Sequence, residues 1–240
     1  MKTIQSVHNP FIKEIAKLKQ RKHQLQEQKF LVEGLHLVEE AYKAKYLEFV
    51  FKTEAVQQTF DVEEILVSEE VVKKLSSTTT PQGIVGVCRI PSSEIIGKRF
   101  LLLDNIQDPG NMGTLFRSAS AFGIDTIIVG KDSVSPYNDK SVRATQGSIF
   151  HLNIVIGDLY QIMQDLKEKN VMVIGTSLED AQDLSTLPKE SAFAVLLGNE
   201  GAGVKPDLLK ICDKKVRIQT MRVESLNVAV AGSIILHYLY

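Results

Sequence analysis

Apolar residues fall into two textures along the chain, and the change comes near residue 95. Before it, short apolar runs alternate with amphipathic stretches. Phe11, Ile15, Leu18 and Leu25 recur at helical spacing among Lys, Arg and Gln, which predicts a basic amphipathic helix over 11–25. Asn9 and Pro10 just ahead supply a cap and a first-turn proline. Strand-like runs follow at 30–32, 47–51, 65–67 and 83–90, with a helical pattern over 35–44. This alternation reads as a small α/β domain. Beyond Pro91-Ser92-Ser93 the runs 100–104, 126–129, 152–156, 171–175 and 193–197 are continuous in Val, Ile and Leu. Such runs suit strands of a parallel sheet buried on both faces by helices. No internal repeat is visible. The expected organisation is two α/β domains, 1–95 and 96–240.

Composition changes this picture little; the placement of charge changes it more. Apolar content of 44% and charged content of 24% sit near the soluble average, which excludes a disordered chain. The net charge of −1, taken alone, argues against a nucleic-acid partner. Residues 1–30, however, hold seven Lys/Arg (Lys2, Lys13, Lys17, Lys19, Arg21, Lys22, Lys29) against two acids, Glu14 and Glu27. A local excess of this kind fits phosphate contact and a solvated helix face equally well. Cys88 and Cys212 stand far apart with no Cys or His at ligand spacing, so neither a disulfide framework nor a metal site is expected. No apolar run approaches membrane-spanning length, and the N-terminus has no apolar core of a secretion signal. The expected location is the cytoplasm. The apolar stretch 228–240 reads as a buried or interface helix.

Three polar segments adjoin the later strands, where an open parallel sheet binds its ligands. The first, Leu103-Asp104-Asn105-Ile106-Gln107-Asp108-Pro109-Gly110-Asn111-Met112-Gly113, leads to Thr114-Leu115-Phe116-Arg117. Asn111 and Gly113 suit a loop entering a helix, with Arg117 about one turn inside it; a capped helix with a solvent-facing arginine fits as well. The second, Leu197-Gly198-Asn199-Glu200-Gly201-Ala202-Gly203, lacks the Lys-Ser/Thr of a phosphate loop and sets a carboxylate where phosphate would be repelled. An uncharged or cationic ligand suits it better, and a plain strand-to-helix turn is the structural alternative. The third, Val216-Arg217-Ile218-Gln219-Thr220-Met221, reads as a strand and turn leading to Glu224-Ser225-Leu226-Asn227. Ser225 is expected to cap the terminal helix, and Asn227 is then a poor helix former in its first turn.

In this order and separation the three segments resemble the signature motifs of the SpoU-type (TrmH-like) RNA ribose methyltransferases, over roughly residues 100–240. Ser141-Val142-Arg143-Ala144-Thr145-Gln146-Gly147 matches a segment found between the first two motifs. Asn9-Pro10, Arg21-Lys22, the run 30–34 and the stretch 80–86 are similar to the accessory domain that many members carry.

The resemblance implies a parallel α/β sheet closed by a deep C-terminal trefoil knot (the SPOUT fold). It also implies a small N-terminal α/β domain, shared with some ribosomal proteins, that grips RNA. It implies S-adenosylmethionine as cofactor, with Thr176, Gly198, Asn199, Glu200, Gly201, Ile218, Met221 and Leu226 around it. Asn111, Arg117, Glu200, Ser225 and Asn227 become the candidate catalytic residues, and Lys13, Arg21, Lys22 and Arg143 the candidate RNA contacts. The implied reaction is methyl transfer to a ribose 2′-hydroxyl, with 23S ribosomal RNA the favoured substrate and transfer RNA the second. A non-catalytic RNA-binding assembly factor is the alternative from another class. The implied assembly is a homodimer joined through the terminal helix. One departure stands out: the family usually has Ile-Pro-Met in the third motif, whereas Gln219 and Thr220 separate Ile218 from Met221 here, and the interval to Ser225 is one residue short.

Overall fold

The structure is a computed structural model and describes residues 2–240, which form two compact units. The first comprises the chain through Ser92 together with Tyr137–His151; the second comprises Ser93–Pro136 and Leu152–Tyr240.

The first unit runs β1 (Lys2–Ile4), α1 (Pro10–Ala16), α2 (Arg21–Glu27), β2 (Lys29–Glu33), α3 (Leu35–Lys43), β3 (Leu47–Lys52), β4 (Glu63–Val67), α4 (Glu69–Leu75) and β5 (Ile84–Arg89). Its sheet has the order β1-β4-β3-β5-β2, with β5 antiparallel to both neighbours and the other pairs parallel. Asn9 caps α1 through Oδ1, which accepts from the Phe11 N–H at 2.9 Å, and Pro10 opens the helix. The single helix expected over 11–25 is broken. Lys17–Lys19 tighten into a 3₁₀ turn, and Gln20 is extended at φ −105°, ψ 131°. The break lets Ile12, Ile15 and Leu18 enter one core with Phe51, Ile65 and Val87 while α2 turns away. Leu25 is therefore exposed, and Gln24 faces inward instead. Burial of that amide is tolerated because its Nε2 donates to the Leu18 carbonyl at 2.9 Å and the Tyr137 carbonyl at 2.8 Å.

The second unit begins with β6 (Arg99–Leu103), α5 (Pro109–Ala121) and β7 (Thr126–Gly130). The chain then forms α6 (Asp139–Thr145) within the first unit, where Phe30 lies 5.0 Å from the Tyr137 ring, centroid to centroid. It returns as β8 (Asn153–Gly157), α7 (Leu159–Glu168), β9 (Met172–Thr176), β10 (Gln182–Asp183), β11 (Phe193–Leu197), α8 (Pro206–Lys210), β12 (Lys214–Arg217) and α9 (Val228–Leu239). The seven strands pair in the order β10-β12-β9-β11-β6-β7-β8, every pair parallel. β6, β7 and β11 are buried along nearly their whole length, which explains their unbroken apolar runs.

The chain winds outward from β6 to β8 and then restarts on the other side at β9, so the order reverses beside β6 and β11. Ligands of open α/β sheets bind beyond the carboxyl strand ends at such a reversal. All three motif segments emerge at that edge. Helix α9 packs against α5, where Ser118 Oγ and Ser233 Oγ lie 2.6 Å apart. A Cβ at Gly232 would sit 2.5 Å from the methyl ends of Leu115 and Leu197, which would have to shift to admit it. No helix among the described residues is long and apolar enough to cross a membrane.

Candidate active site

The first motif loop starts where β6 ends. Asn105 adopts φ +55°, a left-handed conformation that asparagine tolerates better than most residues. Asp108 caps α5, its Oδ1 accepting from the Asn111 N–H at 2.8 Å. Helix α5 thus begins at Pro109, earlier than the sequence suggested: Asn111 lies in its first turn and Arg117 two turns inside. Arg117 is exposed and has no hydrogen bond or ion pair among the described residues.

The second motif loop folds over the first. Asn199 Oδ1 accepts from the N–H groups of Gly201 and Ala202 at 3.0 and 2.9 Å, while its Nδ2 donates to the Asn105 carbonyl at 2.9 Å. Gly198 packs so closely on the returning chain that a Cβ would lie 2.1 Å from the Val204 nitrogen. Glu200 reaches back over the start of α5. Its carboxylate accepts from the Asn111 amide at 3.0 Å and from the backbone N–H groups of Asp108 and Gln107 at 3.2 and 3.3 Å. Partial burial would raise its pKa, but these bonds outweigh it and hold the carboxyl below its ordinary value.

The third motif completes the chain of contacts. Asn227 Nδ2 donates to Asn111 Oδ1 at 2.9 Å, and Asn227 Oδ1 accepts from the N–H groups of Ala229 and Val230. Asn227 is therefore the cap of α9, the role that the sequence had given to Ser225. Both residue types cap well, so the choice is set by which one also meets Asn111. Ser225 stays exposed.

One pocket collects most of these residues. Thr176, Gly198, Asn199, Glu200, Gly201, Ile218 and Leu226 line it, together with Ser225. Met221 does not: it is 98% exposed at the tip of a turn closed by a 2.5 Å bond from Thr220 Oγ1 to the Val223 carbonyl. The altered third motif thus closes on itself and carries Met221 away from the other residues expected around the cofactor. Ser177 and Leu178, which no motif contains, and Arg217 and Glu224, which the third motif contains but which are not among the expected site residues, also line the pocket.

Buried Leu197 and Val216 with part-buried Ile218 and Leu226 give the pocket an apolar lining, and Glu200 adds a carboxylate. That donor set fits S-adenosylmethionine: an adenine ring suits the apolar side chains and turn backbone, and a sulfonium cation suits a carboxylate. Among the described residues no group of three or more His, Cys, Asp or Glu could hold a metal ion.

The candidate RNA contacts lie in the first unit. Lys13 on α1 and Lys22 on α2 are exposed, and Arg21 is half-buried. Arg143 on α6 is engaged within that unit. Its Nη1 donates to Ser77 Oγ at 2.6 Å and lies 3.4 Å from Glu33 Oε2 and 3.4 Å from Asp139 Oδ2.

Residues 98–237 match the SpoU rRNA Methylase family, and residues 9–86 match the MRM3-like substrate binding domain. The chain is 37% identical to the 23S rRNA (guanosine(2553)-2'-O)-methyltransferase RlmP of Bacillus subtilis, over 100% of this chain and 99% of that protein. An rRNA methyltransferase from Sinorhizobium meliloti superposes with a TM-score of 0.88 at 30% identity, covering 99% of this chain and 96% of that one. An AdoMet-bound rRNA methyltransferase from the same organism gives a TM-score of 0.88 at 29% identity, covering 99% and 97%. With its parallel α/β sheet, its laced motif loops and a family match over more than half its length, the chain belongs to the SpoU rRNA methylase family.

Proposed function

We propose that this chain is an S-adenosylmethionine-dependent RNA methyltransferase that transfers a methyl group to a ribose 2′-hydroxyl of 23S ribosomal RNA. The observation that carries the reading is the convergence of Asn111, Glu200 and Asn227 in one hydrogen-bonded chain beside an apolar, carboxylate-bearing pocket. The Bacillus subtilis relative is named for guanosine 2553 of 23S rRNA, and full-length identity of 37% makes that nucleotide the first to examine here.

The bound donor supplies an electrophilic methyl group, so the protein must align the attacking oxygen and manage its proton. Asn111, Glu200 and Asn227 spend their hydrogen bonds on one another and on backbone groups, and we assign them to holding the three loops in register. Arg117 and Ser225 are left exposed and able to meet RNA. A guanidinium stays protonated in proteins and is a poor base. Arg117 instead binds the phosphate next to the target ribose and stabilises the developing alkoxide, while Ser225 positions the hydroxyl.

We assign RNA capture to the first unit through Lys13, Arg21 and Lys22, and the trefoil knot of the family to the segment between β11 and α9. The homodimer is assigned to α9, whose Val230 and Ile234, one turn apart, are 47% and 39% exposed, with Tyr240 69% exposed at its end. A protein that acts on ribosomal RNA works in the cytoplasm.

The test is mass spectrometry of nucleosides from ribosomal and transfer RNA of cells with and without the gene. Loss of one 2′-O-methylated nucleoside from 23S rRNA is the expected result. Loss confined to transfer RNA would replace the substrate, and no loss from either would favour a binding factor.

A further inference from the structure

Asp104 is a buried carboxylate that the chemistry above does not use. It follows the last residue of β6 and is 2% exposed, between the two motif loops rather than in the donor pocket. Its backbone N–H extends the sheet, donating to the Leu197 carbonyl at 2.8 Å. Its Oδ2 accepts from the backbone N–H of Lys205 at 2.8 Å, and its Oδ1 lies 3.5 Å from Lys205 Nζ. The Lys205 ammonium also reaches Asp132 at 2.5 Å.

Leu197 and Lys205 are the two ends of the glycine-rich segment that carries Gly198, Asn199 and Glu200. Asp104 therefore fixes both ends, the first through its backbone and the second through its side chain. Between them Asn199 holds the middle, through the Asn105 carbonyl. Adjacent residues of one strand end thus grip the segment at three points. The close approach of Gly198 to Gly203 and Val204 adds an internal closure. What this grip leaves free is the pocket side, where Glu200 and the turn backbone stand.

We propose that Asp104 is a positioning residue of the methyl-donor site, clamping the end of the glycine-rich turn through the Lys205 N–H and so setting the aim of Glu200 and the turn's backbone groups. The proposal rests on the donor pocket assigned above. It assigns the effect to the backbone anchor and gives the Lys205 ammonium a lesser part. A carboxamide at this position keeps an acceptor for that N–H, whereas an isosteric leucine leaves the buried donor unpaired, which costs more than the bond itself is worth.

The experiment is calorimetric titration of the full-length protein with S-adenosylmethionine, comparing wild type, Asp104→Asn and Asp104→Leu, each checked by thermal unfolding. Wild-type binding establishes the donor site; its absence would remove the reading on which the clamp rests. With wild-type binding in hand, Asp104→Leu is expected to weaken affinity by about tenfold, and Asp104→Asn to stay within about threefold of wild type. Turnover at saturating donor should fall less than the apparent KM for the donor rises. Leucine binding equal to wild type would overturn the clamp, as would asparagine as weak as leucine with both variants folded. Amide hydrogen exchange on the wild-type protein gives a second reading that needs no variant. The Lys205 amide is expected to exchange as slowly as the amides of β11, and exchange at the rate of the exposed turn would overturn the clamp.

Discussion

Two glutamates, one in each unit, have carboxyls held below the ordinary carboxylate range, and only one of them has an arginine beside it. In the first unit burial works to raise the pKa of Glu33, and hydrogen bonds from Ser76, Thr78 and the Ser77 N–H, with the charge of Arg143, overcome it. Arg143 is consumed in the process, its Nη1 lying between Glu33, Ser77 and Asp139. In the second unit Glu200 is satisfied by the Asn111 amide and backbone N–H groups, with no cation within ion-pairing distance among the described residues. Arg117, under two turns along the same helix from Asn111, is left unpaired at the surface among the described residues. Glu33 closes a joint with Ser76, Ser77, Thr78 and Arg143, whereas Glu200, bound by amides alone, holds its loop on α5, keeps its negative charge beside the pocket and leaves Arg117 unpaired among the described residues. On the proposed function, the difference separates scaffold from site where the residue types are the same.

The largest effect expected from this difference is at Arg117. Arg117→Ala should lower turnover by about 10²- to 10³-fold, the usual consequence of removing a donor aimed at developing negative charge. Donor affinity, measured by titration, should be unchanged. Arg117→Lys should recover only part of the rate, since an ammonium cannot form the two parallel bonds of a guanidinium; near-normal turnover in that variant would exclude the bidentate role. Next comes Glu200→Ala. It unties Asn111 and two backbone N–H groups at once and should weaken donor binding by about tenfold, with a smaller loss at saturating donor.

Arg143→Ala is expected to act on stability alone. Its partner Glu33 has a largely buried side chain, and Arg143 itself is 29% exposed, so the ion pair is partly screened. The loss should be about 1–2 kcal/mol, or a few degrees in Tm, with turnover per folded molecule preserved. Reduced RNA affinity at an unchanged Tm would break the comparison and return Arg143 to the RNA-binding surface, where the family resemblance had put it. Lys22→Glu is the matched control: it should weaken RNA binding and flatten its salt dependence without moving Tm.

The sequence and the structure agree most closely where burial is one-dimensional. Strands β6, β7 and β11 are apolar at nearly every position because both faces are covered, and no polar neighbour confuses the pattern. Agreement fails where a residue answers to something distant in sequence. The periodicity through Leu25 continued a helix that Gln20 breaks, because Gln24 is drawn inward by the Tyr137 carbonyl more than a hundred residues away. Ser225 and Asn227 are equivalent as caps in a local reading, and Asn111 decides between them. Asn111, Glu200 and Asn227 were recognisable as a set through the motifs, but their bonding to one another was not. Met221 shows the reverse case, in which two unusual residues, Gln219 and Thr220, lie in a turn that holds it out of the pocket.

The smallest effect distinguishes the two glutamates by pH. Both carboxyls titrate below the ordinary value of 4.5 in the folded chain. A depressed folded pKa contributes stability that is complete above the unfolded value and is lost as pH falls through the folded one. Neither group should therefore affect Tm between pH 7 and about 5, and both should contribute to its fall below about pH 4.5. Glu33, held among hydroxyls and an arginine, should contribute more than exposed Glu200, whose charge is already stabilised by solvent. In a series of thermal unfolding curves, Glu33→Gln should therefore make the acid limb shallower than wild type, and Glu200→Gln should change it less. An acid limb flattened equally by the two substitutions would mean that Glu200 is as much a joint as Glu33, and Arg117 would lose the contrast that singles it out.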